Sequence, residues 1–90
     1  MFAEDRLRAA TERMELTRAF GERVRDLRRA AGLSATQLAD NCRLSPSTIS
    51  KVELARGEPR LSLILTLCQG LGLSPNSLLS GLPVPQARRR

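Results

Sequence analysis

The sequence contains no histidine, tryptophan or tyrosine, and only two phenylalanines and two cysteines. Each shortage removes a class of function. Without histidine, Cys42 and Cys68 cannot complete a zinc site, and two cysteines do not make a dense disulfide framework. Both stand among apolar neighbours, as small core residues of a reducing cytoplasm do. Nor is there a glycine-rich phosphate loop or a pair of acids in a recognisable catalytic setting. An enzyme is therefore not expected, and no catalytic residue, metal or cofactor is assigned. Aromatic residues make up 2% of the chain, too few to offer stacking platforms to a single-stranded nucleic acid.

Long apolar runs are missing as well. "MFAEDRLRAATER" has no apolar core for a signal peptide, and "LSLILTLCQGLGL" is short and broken by Ser, Thr and Gln, as a buried helix is. The expected location is the cytoplasm. Ninety residues suit one domain, and the 41% of apolar residues are mostly Leu, Ile, Val and Ala, with few aromatics, which favours a small helical fold. The formal charge is +6, but Arg88, Arg89 and Arg90 supply half of it. The remainder is a modest basic surplus, suited to a polyanionic partner. Lys51 is the lone lysine.

Along the chain, Leu16, Phe20, Val24, Leu27 and Ala31 recur at helical spacing with charge on the opposite face, up to a stop at Gly32. Ser34 followed by Gln37 forms a capping-box pattern for a second helix, whose stripe is Leu38 and Cys42 with Ala39 beside them. In "LSPSTISKVE", Ser45 can cap and Pro46 fits the first helical position, where no donor is needed. That third helix buries Ile49 and Val52 and turns Ser47, Ser50, Lys51 and Leu54 outward. "ARGEPR" is a loop, a fourth helix runs from about Leu61 to Gly70, and Ser74 with Pro75 starts a fifth anchored by Leu78 and Leu79. There is no internal repeat and no strand alternation. The chain divides into residues 1–16 as an N-terminal extension, 17–82 as the domain, and 83–90 as a flexible basic tail. For residues 1–16 three readings stay open: a helical extension of the first helix, a separate dimer contact, or a frayed arm.

Two short helices joined by a brief turn, the second with a polar face and a prepared N-terminus, describe a helix-turn-helix. "RVRDLRRAAGLSATQLA", "LSPSTISKVE" and "EPRLSLILTLCQGLGLSPNSLL" together resemble the Cro/C1-type helix-turn-helix family, also called the XRE family of bacterial and phage regulators. The resemblance covers about two-thirds of the chain. It implies an all-α, five-helix, lambda-repressor-like domain that binds double-stranded DNA as a homodimer and acts as a small bacterial transcription regulator, a repressor. It also implies that Pro46, Ser47, Ser50 and Lys51 lie near base edges. Of these only Lys51 is a strong donor; the two serines specify weakly, and Pro46 offers apolar contact alone, so DNA shape carries part of the specificity. Arg43, Arg56 and Arg60 are expected on phosphates, and Thr48 on a phosphate or an internal cap bond. Arg28 and Glu53 hold positions that form a structural ion pair in many members. Two departures stand out: Ala35 replaces a common Gln, and Ala55 replaces a common Gly, so the loop is expected to turn at Gly57. Leu73, Leu78, Leu79 and Leu82 are candidates for a dimer face, with core as an equal reading of the first three. The alternative is a protein-interaction module or antitoxin that uses the same fold to hold a protein partner, through residues 1–16 or the tail.

Overall fold

Three serines decide where helices begin. In the computed structural model, which describes residues 2–86, Ser34, Ser45 and Ser74 keep extended backbone. Each side chain accepts the backbone N–H three residues on, from Gln37, Thr48 and Ser77. Gln37 closes the capping box by accepting the Ser34 N–H at 2.8 Å. The chain folds as α1 (Phe2–Ala30), α2 (Ala35–Cys42), α3 (Pro46–Glu53), α4 (Leu61–Leu71) and α5 (Pro75–Leu79), with no strand among the described residues. Residues 2–16 belong to the same uninterrupted helix as residues 17–30. Arg88, Arg89 and Arg90 lie outside the described residues. Residues 83–86 run back along α1, where the Gln86 N–H donates to Glu12 Oε2 at 2.8 Å.

Four helices end the same way. A residue just past each takes left-handed backbone, and the next N–H bonds five residues back: Leu33 to Arg28, Leu44 to Ala39, Arg56 to Lys51, and Leu73 to Cys68. This satisfies carbonyls that the helix itself leaves open. Glycine takes the left-handed place after α1 and α4, but Arg43 and Ala55, both at φ 56°, take it after α2 and α3. The sequence places the reversal after α3 at Gly57; it begins instead at Ala55, and Gly57 at φ 97° continues it. A left-handed alanine costs about 1 kcal/mol, part of which the freer unfolded glycine chain gives back. Ala55→Gly is therefore expected to raise the urea midpoint by the equivalent of about 0.5 kcal/mol. A lowered midpoint would contradict the strain.

Every helix contributes to one core: Phe20 and Val24, Leu38, Ala39 and Cys42, Ile49 and Val52, Leu67 and Cys68, and Leu78. Leu16 and Leu27 are half-buried, and Ala31 is exposed because the helix has already ended before it. Leu78 is fully buried, which leaves it no role on a dimer face, whereas its neighbour Leu79 is 42% exposed. Leu73 and Leu82 are half-buried. A five-residue helix has room for one inward anchor, so Leu79 is not a second one. Arg23 clamps that helix to α1 by donating to Ser77 O at 2.6 Å and Leu78 O at 3.1 Å. Cys42 fills the space above Gly70 and donates weakly to Thr66 O at 3.5 Å. Burial pushes the Cys42 and Cys68 thiols up, so both stay protonated at neutral pH. No helix among the described residues is long and apolar enough to cross a membrane.

Candidate nucleic-acid interface

Helices α2 and α3 are eight residues each, joined through residues 43–45 and packed on each other through Leu38, Ala39, Ile49 and Val52. With its inward face so committed, α3 shows solvent Pro46, Ser47, Ser50, Lys51 and Leu54. With its side chains an α-helix is about 10–12 Å across, which fits the roughly 12 Å width of a DNA major groove.

The serine at the start of α3 does more than cap. Ser45 Oγ lies 3.0 Å from Ser47 Oγ and 2.9 Å from Thr48 Oγ1 as well as accepting the Thr48 N–H. Two of the sequence-predicted side chains are thus tied into a hydroxyl cluster at the helix N-terminus. The Ser50 hydroxyl and the Lys51 ammonium have no partner among the described residues.

Alongside α3 and past its C-terminal end, a cleft of about 460 Å³ is lined by Thr48, Lys51, Arg56, Glu58, Arg60 and Leu63, among others. Four of the predicted residues therefore converge: Thr48 and Lys51 from α3, Arg56 from the loop, and Arg60 from the residue that starts α4. Three cations and one carboxylate, Glu58, line this concavity, which gives it a net positive wall. Arg43 does not share it; the left-handed backbone after α2 presents it, exposed, on the turn between α2 and α3. Glu58, which the sequence did not flag, adds a carboxylate to the cleft wall. Arg13 of α1 lies 3.7 Å from it and offsets that charge.

One buried ion pair holds α3 in place. Arg28 Nε and Nη2 donate to Glu53 Oε2 and Oε1 at 2.7 and 2.9 Å, a two-pronged pairing, and Arg28 Nη1 donates to Leu33 O at 2.9 Å. The hydrogen bond to Glu53 raises the Arg28 pKa further, against the opposing effect of burial. The end of α3 is thereby fixed to α1 and to the α1–α2 turn at once. Gly21 permits the contact, since its missing side chain lets α1 approach the carbonyls of Val52 and Glu53. The sequence carried a signal for Gly21, a glycine inside an otherwise amphipathic helix, but nothing in it pointed to Arg23 or Glu58.

A family model described as a helix-turn-helix domain matches residues 19–80. No curated protein matches the chain. Among solved structures, the clp gene regulator ClgR from Corynebacterium glutamicum is 33% identical, with 71% of this chain and 83% of that one covered and a TM-score of 0.67. The restriction-modification controller protein C.AhdI from Aeromonas hydrophila is 38% identical over 70% of this chain and 94% of that one, with a TM-score of 0.65. ComR from Streptococcus suis is 29% identical over 72% of this chain but 21% of its own, with a TM-score of 0.63.

Proposed function

Because the chain belongs to the Cro/C1-type helix-turn-helix family, we propose that it is a cytoplasmic bacterial transcription regulator, a repressor, which lays α3 in the major groove of duplex DNA. The observation that carries this reading is the cleft joining Lys51, Arg56 and Arg60 at the end of an otherwise outward, polar α3. Lys51 is the base reader, donating to guanine, with Ser50 beside it and Pro46 against a thymine methyl. Ser47 reads by trading its bond with Ser45 for one to a base. Arg56, Arg60 and Arg43 bind phosphates on either side, and Thr48 adds its hydroxyl. The names of two similar proteins, a gene regulator and a controller protein, favour the same role. A homodimer on two half-sites supplies the discrimination that one eight-residue helix lacks.

The test uses a duplex selected for binding. Lys51→Ala is expected to weaken it about tenfold to a hundredfold while leaving random duplex nearly unaffected. Arg56→Ala or Arg60→Ala is expected to weaken both alike and to shrink the salt slope by about one. Equal affinity of the Lys51→Ala protein and the parent for the selected duplex would remove α3 as the reading element.

A further inference from the structure

The projecting half of α1 carries an apolar seam that DNA binding does not use. Ala3, Leu7, Ala10, Met14 and Thr17 recur at alternating steps of four and three, the repeat that keeps one side of a helix toward a second helix. Leu7 is 68% and Met14 65% exposed, so their own chain leaves the seam open at these two positions, while Ala10 is half-buried and Thr17 buried. At its inner end the seam runs into a cleft of about 300 Å³, lined by Met14, Thr17, Arg18, Leu54, Ala55 and Glu58, among others. Leu54, at the end of the recognition helix, is itself 60% exposed there. The Thr17 hydroxyl already donates to Arg13 O at 2.9 Å, so that wall of the cleft needs no polar partner.

We propose that this seam joins two copies of the chain, paired antiparallel, with Leu7 of each seated in the cleft beside Met14, Thr17 and Leu54 of the other. The proposal rests on the dimeric DNA-binding reading and names its interface. Charge selects the direction. A parallel pair would set Arg13 beside Arg18 of the second copy, like against like. With Leu7 in the cleft of an antiparallel pair, Glu4 comes level with Arg18 of the other copy, twice across the dyad. That pairing also sets Arg6 and Arg13 of one copy near Arg13 of the other, but each Arg13 is already 3.7 Å from Glu58 of its own chain. Area agrees with a second copy held weakly. Leu7, Met14, Leu54, Ala3 and the flanking arginine stems offer on the order of 500 Å² a copy, or roughly 1,000 Å² for the pair, the low limit for a specific interface. The expected dissociation constant is on the order of micromolar, so that DNA with two half-sites completes the dimer.

Sedimentation equilibrium of the full chain without DNA tests the interface. The parent is expected to show a reversible monomer–dimer equilibrium. Leu7→Glu, at a position too exposed to disturb the fold, is expected to weaken it at least about tenfold with unchanged circular dichroism. Glu4→Arg and Arg18→Glu should each weaken it, and the double variant should recover to within about threefold of the parent. A dimer indifferent to Leu7→Glu overturns the interface but leaves the dimeric regulator standing on some other face. A parent chain that stays monomeric at roughly millimolar concentration overturns the interface and the preformed dimer together, and leaves base reading by α3 to be judged on its own.

Discussion

Replacing Gly21 with alanine is expected to destabilise the protein by about 2 kcal/mol, although alanine is the better helix former by about 1 kcal/mol. The added methyl would lie inside contact distance of the Val52 and Glu53 carbonyl oxygens. Those atoms are backbone, and the ion pair at Glu53 and the burial of Val52 hold them from both sides. No rotamer change relieves the overlap, so α1 and α3 must separate and loosen the packing of Phe20, Val24, Ile49 and Val52. The packing loss outweighs the propensity gain. A denaturant titration should show the lower midpoint, and affinity for a selected duplex should fall with it, because the displaced element is the recognition helix. An unchanged midpoint would mean that α1 and α3 are less tightly fixed than their geometry states.

The Arg28–Glu53 pair gives the other large effect. The two side chains are only 12% and 9% exposed, so each removes its partner's burial cost rather than adding a surface attraction. Glu53→Ala leaves a buried guanidinium with one bond, to Leu33 O, and should cost about 3 kcal/mol. Arg28→Ala leaves a buried carboxylate and an open carbonyl, and should cost at least as much. The pair Arg28→Met and Glu53→Leu, apolar and similar in volume, should recover most of either loss, because no charge is then buried alone. The pair thus sets the register between α3 and α1 more than it adds to stability. Single losses below about 1 kcal/mol would mark it as a solvated surface pair and remove that role.

How much was legible in advance depended on whether the signal was local. Caps were, because Ser34, Ser45 and Ser74 bond within three residues of themselves, and so the starts of α2, α3 and α5 follow from the sequence. The core stripe was legible up to Leu27, which packs against the core, since periodicity reports a helix face directly; at Ala31 it failed because the helix stops one residue earlier. Ala55 misled for a physical reason: a terminating bond pattern can force left-handed backbone on a residue that dislikes it, so the turn did not wait for Gly57. Leu79 misled because two adjacent leucines on one short helix cannot both point inward. Of the site, the outward face of α3 could be read from the inward positions of Ile49 and Val52. The convergence of Arg56 and Arg60 with Lys51, and the presence of Glu58 among them, could not. It arises from how the loop packs between α3, α4 and α1, which periodicity and capping signals do not report.

On the proposed function, α3 reads duplex DNA and two copies do so together. The most direct test is to select duplexes from a random pool with the purified protein at near-physiological salt and to sequence what is retained. The retained duplexes are expected to share an inverted repeat whose half-sites lie about one helical turn apart, lost when Lys51 is replaced by alanine. Retention of DNA with no shared sequence, vanishing as salt is raised, would contradict it and reduce the basic cleft to a general attraction for phosphate.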